Sequence, residues 1–359
     1  MAKACIGLDL GSSAVKLAEL ARARDGSWEL VAFGIEPIPS DSIVDGTIMN
    51  QSAVVDAVRA LYARLRLRRR EVALAIAGHS VIIKKIAVAP MSPGELDARI
   101  SVEAERHVPF AKDDVELDFQ VLGTRTSDGQ MEVLLVAAKK EVVRDFAAVA
   151  REAQLQPVVV DLVAFALQNA FEAAYETPPP GEAAVLINVG AHTSNIHIVS
   201  GGVPAFTRDI NTGSAVLTEE IERLLNIGTA EAEALKLAVL GGRQGVGRAE
   251  STEAVARLSR QKAEEMAGEF AKSLDFFIAS HPDTNVNRIY LAGGGARSPF
   301  LKEAVASRAH LEVEVMDPFR KMRIPEGSAR VDRETVRSCG AQGAVAVGLA
   351  LRQPGDKFS

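Results

Sequence analysis

Two stretches decide how this chain is read: Gly7-Leu8-Asp9-Leu10-Gly11-Ser12-Ser13-Ala14-Val15-Lys16-Leu17 and Ile187-Asn188-Val189-Gly190-Ala191-His192-Thr193-Ser194-Asn195-Ile196-His197-Ile198. Overlaid at a constant offset of 179 residues (188 − 9, 190 − 11), they match Asp9 with Asn188 and Gly11 with Gly190. Each follows an apolar run and leads into an alternating one, as strands do. A glycine in such a turn removes the Cβ that blocks close approach of phosphate oxygens, and small hydroxyl residues and backbone N–H groups can line the concavity. Taken singly, each stretch reads as well as an ordinary β-hairpin. Duplication at half the chain length, with polar residues at equivalent places, favours a repeated strand, phosphate-loop, strand unit, and two facing copies make a nucleotide clamp.

The 359 residues suit two domains or one bilobal body, since single cores stop growing below this size. With 47% hydrophobic and 25% charged residues the composition is that of a globular protein. A net charge of −6 argues against a nucleic-acid surface spread over the whole molecule. Cys5 and Cys339 stand at opposite ends without a CxxC or a histidine at ligand spacing, so neither a disulfide framework nor a zinc site is indicated. The start, Met1-Ala2-Lys3-Ala4-Cys5-Ile6, has no apolar signal core, and no run reaches the length of a spanning helix, so a cytoplasmic location is expected.

Strands are expected at Ala4 to Leu10, Ala14 to Ala21, Trp28 to Ile35 and Val72 to Ala77, with a helix from Gln51 to Leu67. That order is the half-unit of a ribonuclease-H-like lobe, which takes residues 1–78 and resumes over 140–177. Between them, 79–139 reads as an inserted α+β subdomain. It holds a strand from Val81, a helix opened by the capping sequence Ser92-Pro93-Gly94-Glu95 and running to His107, and a hairpin around Ser127-Asp128-Gly129. Lys140 to Ala153 is amphipathic, Pro157 to Asp161 is a strand and Leu162 to Tyr175 the closing helix. Three prolines at Pro178, Pro179 and Pro180 mark a linker over 178–182. The second lobe, 183–359, repeats the plan, with a helical subdomain at about 229–285. A loop is expected at Gly241 to Gly247, and the apolar Gly340 to Leu351 is expected to pack inside this second lobe.

Ala292-Gly293-Gly294-Gly295-Ala296 follows the last buried strand and precedes a helix opened by Ser298-Pro299. Three glycines at such a junction are entropically costly unless something lies flat against the backbone, as an adenosine does. Glu233 and Lys236, three apart on a helix, read either as a polar clamp for a ribose or base or as a surface ion pair. His79, His107, His281 and His310 have no partner at metal spacing, and His197 sits on a strand. Arg64, Arg66, Arg68, Arg69 and Arg70 crowd the end of the first-lobe helix, either as a solvated terminus favoured by the helix dipole or as a contact with acidic lipid headgroups or a partner.

With these residues placed, the chain resembles the actin-like ATPase superfamily of actin, heat-shock chaperones, sugar kinases and FtsA, and within it the PilM family of type IV pilus assembly. The narrower resemblance rests on Glu103-Ala104-Glu105-Arg106-His107-Val108-Pro109-Phe110, Leu117 to Gly123, Val136 to Lys140, Phe206-Thr207-Arg208-Asp209-Ile210, Ser273 to Phe277 and Leu291 to Arg297. It implies a duplicated ribonuclease-H-like, two-lobe α/β fold that binds ATP and Mg2+. Asp9, Gly11, Ser12, Ser13 and Lys16 would form the first phosphate motif, and Asn188, Gly190, Ala191, His192 and Thr193 the second. Asp161 matches the position of a carboxylate near the attacking water. Gly213, Glu233, Lys236 and Gly293, Gly294, Gly295, Ala296 and Arg297 match the nucleotide contacts on the adenosine side. Magnesium would be held through phosphate oxygens and water near Asp9.

Asn188 departs from the aspartate that many relatives carry; an amide can hydrogen-bond metal-bound water but cannot act as a base, so weak or negligible turnover is expected. The resemblance implies an adapter on the cytoplasmic face of the inner membrane that captures the N-terminal peptide of PilN in a groove between inserted subdomain and first lobe. It also implies contact with other pilus inner-membrane components and motor ATPases, assembly as a ring, and membrane attachment only through partners. An FtsA-like division filament and a small-molecule kinase are the competing readings. Against the first, the chain ends Leu351-Arg352-Gln353-Pro354-Gly355-Asp356-Lys357-Phe358-Ser359, which is polar and broken by proline and glycine rather than an amphipathic helix.

Overall fold

A computed structural model of the chain describes residues 5–125, 129–242 and 249–355. The N-terminal half runs β1 (Ile6–Leu10), β2 (Ala14–Arg22), β3 (Trp28–Pro37), β4 (Ile43–Val44), β5 (Thr47–Ile48), α1 (Gln51–Arg64), β6 (Glu71–Ile76), β7 (Val81–Val88), α2 (Pro93–Glu105), β8 (Val115–Arg125), β9 (Met131–Lys139), α3 (Lys140–Glu152), β10 (Gln156–Leu162) and α4 (Val163–Ala174). The C-terminal half runs β11 (Glu182–Val189), β12 (Ser194–Ser200), β13 (Val203–Ile210), α5 (Ala215–Leu225), α6 (Thr229–Leu240), α7 (Ala249–Ser280), β14 (Asn285–Ala292), α8 (Pro299–Ala309), β15 (Glu312–Val315), α9 (Arg333–Cys339) and α10 (Ala344–Ala350).

Duplication is visible in the sheets. The first has the order β10-β6-β1-β2-β3 and the second β15-β14-β11-β12-β13, and in both the first three strands run parallel while the last two pairings are antiparallel. Register repeats as well, since Asp9 lies opposite Lys16 and, 179 residues on, Asn188 lies opposite Asn195. Actin-like two-lobe architecture follows from this repeat.

Between β6 and α3 stands a separate three-stranded sheet, β7-β9-β8, with its own apolar cluster of Ile86, Leu96, Ile100, Val133 and Leu135 under α2. The start of α2 carries the full capping box, Ser92 accepting from the Glu95 N–H while Glu95 accepts from the Ser92 N–H. The other face of this sheet turns Val81, Ile83, Leu134, Val136 and Ala138 toward the first lobe. The turn at Ser127-Asp128 and the expected loop at Arg243 to Gly247 lie outside the described residues.

One expectation fails. The segment from Gly340 to Leu351 does not pack wholly inside the second lobe: Ala341 joins the second-lobe core, but α10 crosses to the first and lies against β1, β2 and α4. Glycine sets that choice. A Cβ on Gly7 of β1 would collide with the Ala346 carbonyl, and one on Gly348 would collide with the Ala166 carbonyl of α4, so the helix backbone seats where no other residue fits. The resulting core joins Leu167 and Phe171 of α4, Leu186 and Tyr290 of the second sheet, and Val347 of α10.

A polar node crosses the same boundary. His197 on β12 is fully buried, its Nε2 2.8 Å from the Gln168 side-chain oxygen on α4 and its Nδ1 2.7 Å from the Thr207 hydroxyl. Gln168 donates from its amide nitrogen to Glu172 and to the Gly202 carbonyl, so its oxygen accepts from His197 Nε2 and the ring is neutral. Burial pushes the imidazole down to about 3.

Candidate functional site: a cleft between two phosphate turns

The two glycine turns meet. They line one cleft, with Asp9, Gly11, Ser12, Ser13 and Lys16 on one side and Asn188, Gly190, Ala191, His192 and Thr193 on the other. Each turn is closed by the same bond, from Gly11 N–H to the Ala14 carbonyl (3.2 Å) and from Gly190 N–H to the Thr193 carbonyl (3.0 Å). A Cβ at Gly190 would lie 2.5 Å from the Thr193 carbonyl oxygen, whereas one at Gly11 would strike only the Lys16 ammonium. Lys16 Nζ sits 3.1 Å from Asp9 Oδ2, both side chains 11% exposed, so the first turn holds a shielded ion pair at the position where a phosphate and its metal would compete for partners.

The second turn is fixed from behind. Ser214 and Ala215 donate their N–H groups to the Gly190 and Ala191 carbonyls at 2.9 and 2.8 Å, which aims the rest of the loop at the cleft. Gly213 makes this possible, because a Cβ there would lie 2.5 Å from the Ala191 carbonyl carbon and 2.8 Å from His192 N. It shapes the loop from outside the cleft lining.

Of the adenosine-side expectations the cleft takes Gly293 and Gly294. Gly293 (φ 84°) donates to the Ala341 carbonyl at 2.8 Å, and Gln342 faces Gly294. At Gly293 and Gly295 the need for glycine comes from the protein itself, since a Cβ would crowd Asn188 and Val189 at the end of β11. Ala296 is buried in the second-lobe core, and neither it, Gly295 nor Arg297 lines the cleft. Glu233 and Lys236 do form an ion pair (2.6 Å), but Lys236 is 4% exposed and no surface residue. Its ammonium donates to Glu233, to Thr218 Oγ1 (2.8 Å) and to the Ser214 carbonyl (3.3 Å), so all three protons are used one layer behind the lining residue Ser214.

Asp161 is placed elsewhere. Its Oδ2 pairs with Arg352 at 3.2 Å, its Oδ1 accepts from the Leu162 N–H, and both residues line a second cavity of about 300 Å³ rather than the cleft. That cavity separates β8 and β9 of the inserted sheet from β10 and α4, with Glu116 to Gln120, Leu134, Val136, Val160, Leu162 and Phe165 in its walls.

Sequence reasoning missed Asp45, Gly46, Gly78, Asn195, Asp209 and Gln342, all of which line the cleft. Asp209 is the most consequential: Oδ2 accepts from Gly78 N–H of the first lobe at 2.8 Å and Oδ1 from Asn195 Nδ2 at 2.6 Å, fastening the lobes at the cleft floor. The Asp45-Gly46 pair carried a usable signal, because two residues with positive φ (47° and 77°) between β4 and β5 are the type I′ hairpin turn that Asp-Gly favours.

The donor set fits a nucleotide. His192 Nδ1 and Asn195 Oδ1 are buried, border the cleft and have no hydrogen-bond partner among the described residues, a state that costs free energy until a ligand or water reaches them. Ser12, Ser13 and Lys16 offer donors for phosphate oxygens. A Mg2+ ion would be held through phosphate oxygens and water, with Asp9 the carboxylate beside the first turn; among the described residues no three His, Cys, Asp or Glu side chains gather as metal ligands. When bound, the ion neutralises phosphate charge.

Residues 7–354 match the family model described as type IV pilus assembly protein PilM. The chain belongs to this family. Its structure is similar to that of the PilM-PilN type IV pilus biogenesis complex, with 28% identity, a TM-score of 0.82, and 98% of this chain and 99% of that one covered. A likeness to the ethanolamine utilization protein EutJ from Carboxydothermus hydrogenoformans, at 16% identity and a TM-score of 0.57 over 97% and 89% of the two chains, shares the fold. As a family member the chain is an actin-like component of pilus assembly, and the match favours neither the division-filament nor the kinase reading. No helix of the described residues is long and apolar enough to cross a membrane.

Proposed function

We propose that this chain binds MgATP in the interlobe cleft and works as an adapter on the cytoplasmic face of the inner membrane, capturing the N-terminal peptide of PilN in the cavity between the inserted sheet and the first lobe. The cavity itself carries the reading. Register puts Glu116, Asp118 and Gln120 of β8 opposite Ala138, Val136 and Leu134 of β9, on the face that looks toward Val160 and Leu162 of β10. A trough with Leu134, Val136, Val160, Leu162 and Phe165 on its apolar wall and Glu116, Asp118 and Gln120 on its polar one, beside the outermost strand of a sheet, suits an extended peptide with alternate side chains seated in pockets. The related complex contains PilN by name and matches this chain over nearly its whole length.

ATP in this reading is chiefly a structural ligand. At about one hundred times its dissociation constant it stabilises the closed pair of lobes by about 2.7 kcal/mol, and Asn188 gives no base for hydrolysis. The test is titration of the full chain with a synthetic PilN N-terminal peptide. Wild type should bind, and Val160→Glu, which puts a carboxylate on the apolar wall of the trough, should bind at least tenfold more weakly while retaining ATP affinity. Equal affinity of the two would contradict the assignment of this cavity.

A further inference from the structure

Neither the cleft nor the trough uses the arginines that follow α1. The helix ends at Arg64, whose guanidinium is taken up by Glu36 (3.0 Å) and the Ile35 carbonyl (2.7 Å). Dipole stabilisation fades beyond the last turn, so it accounts for Arg64 and not for the arginines after it. Arg66 has φ 51°, its N–H bonded to the Ala63 carbonyl and the next N–H, of Leu67, to the Tyr62 carbonyl. This is the helix-ending turn that glycine or asparagine fills with least strain, yet an arginine occupies it. Leu65 and Leu67 point inward, 5% and 8% exposed, while Arg66, Arg68 and Arg70 are exposed. Among the described residues no carboxylate pairs with these three, on a chain whose net charge is −6.

Their position matters. The Arg70 carbonyl accepts from the Gln156 N–H at the start of β10, the edge strand of the first sheet, and the far end of β10 lines the trough at Val160, Asp161 and Leu162. Four to six residues of strand separate the two places, roughly 13–20 Å. We propose that Arg66, Arg68 and Arg70 rest on anionic phospholipid headgroups of the inner membrane while the trough holds the peptide of a membrane-anchored partner. The proposal rests on the peptide-capture reading above for its geometry. Guanidinium groups bind phosphate in two-pronged fashion, and a juxtamembrane basic cluster gains from the negative surface potential within a Debye length. The strip offers charge with no exposed apolar residue between the arginines, which suits a fluid headgroup layer better than a folded acidic segment.

The test is co-sedimentation of the full chain with phosphatidylcholine vesicles with and without phosphatidylglycerol, at low and high salt. Wild type should bind only the phosphatidylglycerol vesicles and only at low salt. The Arg66→Gln, Arg68→Gln, Arg70→Gln triple variant should lose roughly tenfold or more in partitioning, and the corresponding triple lysine variant should keep most of it. In solution without vesicles the glutamine variant should bind the PilN peptide as wild type does. Equal partitioning of wild type and glutamine variant, equal binding to neutral vesicles, no vesicle binding at all, or binding of soluble polyglutamate in place of vesicles would each overturn the proposal. Failure of wild type to bind the peptide would overturn the capture reading instead, and the vesicle result would still judge the arginines.

Discussion

The two lobes share a plan and differ at the residues that touch the cleft. In the first, Asp9 faces Lys16 across adjoining strands as an ion pair; at the same places in the second, Asn188 faces Asn195 and the carboxylate has moved one strand outward, to Asp209. That carboxylate reaches back to Gly78 of the first lobe. Two positions further along β2 and β12, Ala18 of the first lobe corresponds to His197 of the second, which bonds to Gln168 on α4. One lobe places an ion pair at the cleft, and the other places neutral amides there and the grip that keeps the lobes together. A duplicated unit has divided its labour without changing its register.

The largest effect that separates the lobes should come from Lys16→Ala, which removes the cleft cation and leaves Asp9 without its partner. ATP affinity should fall about a hundredfold, equivalent to about 2.7 kcal/mol, against less than tenfold for Asn195→Ala, both read by titration calorimetry. Comparable losses would break the division of roles. Next comes the pair of turn glycines. Gly190→Ala pushes a methyl group into the Thr193 carbonyl and should cost about 2 kcal/mol in denaturant unfolding, whereas Gly11→Ala displaces only the flexible end of Lys16 and should cost under ~1 kcal/mol while weakening ATP binding.

The His197 node should make stability pH-dependent. Its folded value near 3 lies below the ordinary 6.5, so between these limits the unfolded chain binds the extra proton and stability falls as pH falls. Acidification to pH 5 should remove about 2 kcal/mol, and a His197→Gln variant should show a flatter profile over the same range. At the lobe boundary, Asp209→Ala is expected to cost about 1.5 kcal/mol in thermal unfolding, because the Gly78 N–H and Asn195 amide lose an acceptor.

What the sequence revealed follows the reach of its signals. Both glycine turns were legible because the glycine, the carboxylate or amide, and the alternating strand beyond it sit within a dozen residues, and repetition at one offset marked the two hairpins as one repeated unit. The capping box at Ser92 was legible for the same local reason. Asp209 and Gly78 are 131 residues apart in the chain, and nothing in Phe206 to Ile210 says that its aspartate faces another lobe. Helical spacing paired Glu233 with Lys236 but gave no sign that α5 covers that face. The alanine- and glycine-rich α10 announced burial and left its partner open, which the close approaches at Gly7 and Gly348 then decide. Asp161 followed its strand as expected, yet it pairs with Arg352, nearly two hundred residues later, at the second cavity rather than the cleft.

Titration of the full chain with MgATP tests the shared cleft most directly. One site per chain, abolished or weakened about a hundredfold by Lys16→Ala and also weakened by Gly190→Ala in protein that remains folded, is the result predicted for two turns closing on one nucleotide. Undiminished binding in either variant, or no binding to the wild-type chain, would contradict it.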